Sequence, residues 1–132
     1  MDKEISFHGN RCCLFECQSA TQAELLMDME LIIDYGNQFH NPDGSLKHYL
    51  HTWDDGYRLL VRCKRYGALF IKQNSEYHGF SNEDSYYTDW YQVESKEVAE
   101  LINAVYSGFS LERNYNGPWL KKTNDTMHWS LE

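Results

Sequence analysis

From position 21 to 36 the apolar residues Leu25, Leu26, Met29, Ile32 and Ile33 recur at three- and four-residue spacing, one face of a helix. Thr21 and Glu24 have the spacing of a capping box, in which each side chain meets an orphan N–H of the first turn. Gly36 and Asn37 supply a stop. The pattern predicts a helix over about 21–36. A second helix is predicted over about 96–107, capped by Ser95 and ended near Gly108. Its apolar stripe would be Val98, Leu101, Ile102 and Val105.

Elsewhere the pattern alternates. Tyr57, Leu59, Val61 and Cys63 would share one face of a strand, and Arg58, Leu60, Arg62 and Lys64 the other. Arg65, Tyr66 and Gly67 turn this strand into a partner over 68–72. Residues 86–93 are aromatic and strand-like. Residues 3–8 and 11–18 predict a hairpin around Gly9, and 119–122 with 126–131 a last one around Asn124 and Asp125. Residues 46–53 suggest a short strand, Asp54-Asp55-Gly56 a turn, and 73–85 an exposed loop. The expectation is one α+β domain over 1–132, an antiparallel sheet of five to seven short strands with two helices packed on it.

Charge changes this picture more than composition does. Twenty acids against twelve bases give a formal charge of -8, which repels phosphate backbones and steers towards basic partners. Ten Tyr, six Phe and four Trp provide enough aromatic surface for a core. No apolar run approaches a membrane span, and residues 1–9 carry no apolar leader core. Cys12, Cys13 and Cys17 are crowded and Cys63 is remote, a spacing that suits free thiols in a reducing cytoplasm.

No motif points to catalysis, a metal or another cofactor. Adjacent Cys12 and Cys13 cannot both face one ion from a strand, and His48 and His51 lack a His-Glu-x-x-His frame. Phosphate-cradling glycine loops and a nucleophile elbow are absent. Arg58, Arg62, Lys64, Arg65 and Lys72, interleaved with Tyr57, Tyr66 and Phe70, resemble a small single-strand platform. Five bases in so acidic a chain are expected instead to answer the fold's own acids, with no direct nucleic-acid contact.

The acidic residues give the candidate site. On the predicted first helix, Met27 and Leu31 fall away from the core stripe, framed by Glu24, Asp28, Glu30 and Asp34. A second concentration joins Glu83, Asp84 and Asp89 to Tyr86, Tyr87 and Trp90, large rigid contact residues beside acids. Together they predict a non-enzymatic binding or inhibitor protein that masks a basic surface of a protein partner. That partner would be a nuclease, a toxin or a nucleic-acid-handling complex, as for immunity or phage anti-defence proteins of similar size and charge. The alternative is a small-ligand domain or small enzyme with an aromatic and His-lined pocket between helices and sheet.

Overall fold

The computed structural model describes residues 5–12, 28–43, 45, 53–78, 84–123 and 126–130. The strands are β1 (Ile5–Ser6), β2 (Met29–Asn37), β3 (Trp53–Cys63), β4 (Leu69–His78) and β5 (Asp84–Val93). Helices α1 (Lys96–Val105) and α2 (Ser110–Asn114) follow, then β6 (Tyr115–Asn116), β7 (Trp119–Thr123) and β8 (Thr126–Ser130). Strands β2-β3-β4-β5-β7-β8 form a six-stranded antiparallel sheet in that order. β1 pairs with β6 in a separate, parallel two-stranded sheet. The expected α+β class and antiparallel sheet are what the chain adopts.

Alternation divides the core between the two faces of the sheet. On the face towards α1, Leu60, Ile71 and Tyr91 pack with Val93, Ala99, Ile102, Leu111 and Tyr115. On the opposite face, Val61, Cys63, Phe70, Trp90 and Leu120 pack with Cys12.

The first predicted helix is the main correction. Its residues 29–36 lie in β2, and its residues 21–27 fall outside the described residues. The register of β2 against β3 slips between Leu31 and Ile33 and again between Asp34 and Gly36, so Ile32 and Tyr35 are extra residues. Each bulge adds a position to a two-residue repeat. Ile32 and Ile33 therefore both pack on the α1 side, while Leu31 and Asp34 become successive residues of the other face. A twice-bulged strand thus mimics the three-and-four spacing of a helix.

Three smaller corrections have similarly local causes. β1 pairs with Tyr115 and Asn116; of the strand predicted to pair with it, residues 11–12 lie outside any strand and 13–18 lie outside the described residues. The predicted loop at 73–85 is strand up to His78 and again from Asp84, because Gln73 and Ser75 alternate inward as buried residues. Trp53 to Gly56 is strand, not turn.

α1 is capped as expected, with Ser95 Oγ accepting from Val98 N at 3.2 Å. Its buried stripe, however, is turned from the predicted one. Ala99 and Ile102 face the sheet, whereas Leu101 and Val105 are 66% and 61% exposed. Ala99 lets the helix approach closely, and Asn103 must face inward to meet Arg58. The predicted strand at 46–53 lies outside the described residues except for Trp53, while the final hairpin forms as β7 and β8.

Candidate functional site

β2 is one of the sheet's two edge strands among the described residues, and it presents Asp28, Glu30, Leu31 and Asp34 to solvent at its start and along its length. Leu31 is 58% exposed, one of six large hydrophobic side chains exposed among the described residues. Asp34 shares its face, and its Oδ1 accepts from Gly36 N at 2.9 Å, where φ of +84° suits glycine. Glu30 lies on the other face, directly across from Arg62. Asp28 meets Lys64 Nζ at 3.6 Å. Of the five bases in the 57–72 hairpin, Arg62 thus lies across from Glu30 and Lys64 meets Asp28, whereas Arg58 meets neutral acceptors. The predicted residues Glu24 and Met27 lie outside the described residues.

The second predicted cluster is separated by the strand that carries it. Tyr86 is 52% exposed on the face opposite α1. Tyr87 turns towards α1, with Lys121 Nζ 5.5 Å from its ring centroid. Asp89 and Trp90 are both buried, on opposite faces, so they form no shared exposed patch. Glu83 lies outside the described residues; Asp84 pairs with His78 at the start of β5. β2 and β5 are three strands apart, roughly 14 Å, so Leu31 and Tyr86 are not one contact spot.

Beneath α1 runs a row of polar residues that the sequence did not single out. Arg58, Gln73, Asp89 and Lys121 are successive cross-strand neighbours on β3, β4, β5 and β7. The Arg58 guanidinium donates to Gln73 Oε1 at 2.7 and 3.0 Å, to Asn103 Oδ1 at 3.1 Å and to the carbonyls of Tyr106 and Gly108. It thereby ties the C-terminal end of α1 to the sheet, where the helix dipole favours a cation. Burial pushes its pKa down to about 10. The signal available in the sequence was one of register, since all four positions alternate with core residues.

Asp89 accepts from Trp119 Nε1 at 3.1 Å. Burial raises its pKa from 3.8 to about 6, partly offset by Lys121, which itself pairs with Glu112 at 3.2 Å. The raised value fixes the sign of a pH effect. Below 3.8 the group is protonated folded or unfolded, and its neutral form is buried at no charge penalty. Between 3.8 and about 6 the unfolded chain releases its proton first, so stability falls as pH rises. Asp89→Asn should therefore raise the unfolding free energy at neutral pH by about 2 kcal/mol and flatten its decline over that window, measured by urea titration at several pH values.

Between α1 and the sheet, Leu60, Ile71, Ala99, Ile102 and Leu111 are all buried in one apolar cluster. Of the histidines proposed to line a pocket there, His128 is exposed, while His48 and His51 lie outside the described residues. Among the described residues no group of three or more His, Cys, Asp or Glu is placed to hold a metal ion. No described helix is long and apolar enough to cross a membrane. Comparison of the chain with protein-family models, with curated proteins and with solved structures returned no match.

Proposed function

We propose that the chain is a binding protein that masks a basic surface of a partner protein, docking it along β2. The observation that carries this reading is Leu31, 58% exposed in an edge strand, with exposed Asp34 on the same face. An apolar spot with an acidic border matches a basic surface that has its own apolar centre. The net charge of -8 would speed the encounter. Two bulges and three carboxylates hinder addition of a further strand, so side chains and not backbone pairing would make the contact. A nuclease, a toxin or a nucleic-acid-handling complex is the class of partner this chemistry suits.

A partner recovered from the native cell and purified tests the idea through the variants Leu31→Ala and Asp34→Asn. Asparagine keeps the bond to Gly36 N while removing the charge. Each should weaken binding about tenfold without moving the unfolding midpoint, and added salt should weaken the wild-type complex. A salt-insensitive complex, or one indifferent to both changes, would sink the reading.

A further inference from the structure

Three tyrosines are among the large side chains that the described surface exposes, and two of them, Tyr57 and Tyr86, stand beside one cleft. The cleft has a volume of about 300 Å³, and Tyr57, Asn74, Glu76, Tyr86 and Thr88 bring it to the sheet face turned away from α1. Its lining is made of tyrosine, serine, threonine, asparagine and glutamate, with no aliphatic side chain and no base. Each of these side chains ends in a hydroxyl, an amide or a carboxylate. An apolar ligand would strip water from such groups and return no hydrogen bond. Charges of both signs stand in register around the cleft, Asp34, Asp55 and Asp84 with Lys72 and Lys122. An anion there meets carboxylates, Glu76 of the lining among them, and a cation meets ammonium groups. A neutral ligand rich in hydroxyls meets neither cost.

The register sets the shape of that ligand. Tyr57 is opposite Asn74 and Tyr86 is opposite Glu76, on the two strands that flank β4. The two tyrosines therefore stand on a diagonal across the cleft, about 12 Å apart at the backbone, with Asn74 and Glu76 between them. Such a spacing suits two rings in series, one at each tyrosine, better than one flat ring held between both. Thr88 Oγ1 donates to Asn74 Oδ1 at 3.0 Å, which orients the amide and leaves its Nδ2 as a donor towards a ligand. Glu76 supplies carboxylate oxygens, which accept from hydroxyl groups. The electron-rich face of a tyrosine ring attracts the slightly positive C–H groups on the flat side of a pyranose.

We propose that this cleft binds a neutral saccharide of two or more units, one sugar ring against Tyr57 and the next against Tyr86. Hydroxyls between the rings would bond to Asn74 Nδ2 and to the Glu76 carboxylate. The cleft and the proposed β2 contact share a face of the sheet. Asp34, opposite Leu59, lies two residues along β3 from Tyr57, whereas Leu31, opposite Val61, lies four residues along, roughly 13 Å. Leu31→Ala therefore separates the two sites, because it should weaken the protein partner and leave the saccharide unchanged.

Titration with maltose, cellobiose, lactose and chitobiose, followed by NMR, tests the proposal, with choline and adenosine as the charged and the heterocyclic comparison. At least one disaccharide should bind in the millimolar range or tighter, and about tenfold tighter than its own monosaccharide. Tyr57→Ala and Tyr86→Ala, both at exposed positions, should each weaken it about tenfold while leaving the unfolding midpoint in place. Asn74→Asp keeps the acceptor for Thr88, removes the Nδ2 donor and should weaken it as well. The proposal is overturned if none of the four disaccharides binds at millimolar concentration or if both folded tyrosine variants bind as the wild type does. It is equally overturned if choline or adenosine binds as tightly as the best disaccharide.

Discussion

Arg58→Leu is expected to lower the unfolding free energy by about 4 kcal/mol. The leucine removes every donor that Gln73 Oε1, Asn103 Oδ1 and the Tyr106 carbonyl receive from Arg58. Those acceptors stay buried or half-buried, and each unmet one costs about 1–3 kcal/mol. With a urea slope of about 2 kcal/mol per molar, the midpoint should fall by roughly 2 M. Arg58→Lys should recover only part of this, because one ammonium cannot span acceptors on β4, on α1 and beyond its end at once. Arg62→Leu, exposed on the same strand, should change stability by under about 0.5 kcal/mol. If Arg58→Leu and Arg62→Leu unfold at the same midpoint, the anchoring role of Arg58 is wrong.

Gly56→Ala should cost about 3 kcal/mol through overpacking. A Cβ at position 56 would sit 2.1 and 2.2 Å from Phe39 Cε2 and Cδ2, well inside contact distance. The Phe39 ring has little freedom to withdraw. It is buried, lies 5.1 Å from the Phe109 ring, and runs close to the backbone of Gly108. Phe39→Leu would be destabilising alone but should recover part of the loss in the Gly56→Ala background, a non-additivity read from a double-mutant cycle. Simple addition of the two losses would show that the ring does not set the need for glycine.

Gly56 also shows where reading the sequence stops. In Asp54-Asp55-Gly56 the glycine looked like turn chemistry, yet its function is to leave room for an aromatic ring seventeen positions earlier. The alternation of β3 from Tyr57 to Cys63, the β7–β8 hairpin and the cap of α1 were legible because they rest on neighbours in sequence: alternation, a turn, and Ser95 three residues before Val98. β2 was misread for a physical reason, since bulges at Ile32 and Tyr35 change its period from two towards that of a helix. The candidate site was legible only in part. Leu31 and Asp34 stand exposed on one face, whereas Tyr86, Tyr87, Asp89 and Trp90 are divided by the pleat and by burial. Arg58 counted in the sequence as one more surface base, because only cross-strand register brings Gln73 and Asn103 to it.

The two-residue ladder of β1 with β6 has a kinetic consequence. Ile5 and Tyr115 come from opposite ends of the described chain, while the strands of the main sheet mostly pair with their neighbours in sequence. Hairpins close short loops and can form early, but this parallel pair closes nearly the longest loop the described chain offers. It should therefore be among the last elements to form. During synthesis β1 is made before the other described strands, and its described partner, Tyr115 and Asn116, follows only after β5 and both helices. Ile5 then waits, its place beside Val98 and Ile102 at the edge of α1 still open. In the finished protein, with so few bonds to break, the same pair should open before the sheet does, and its amides should exchange with solvent ahead of those in β3, β4 and β5.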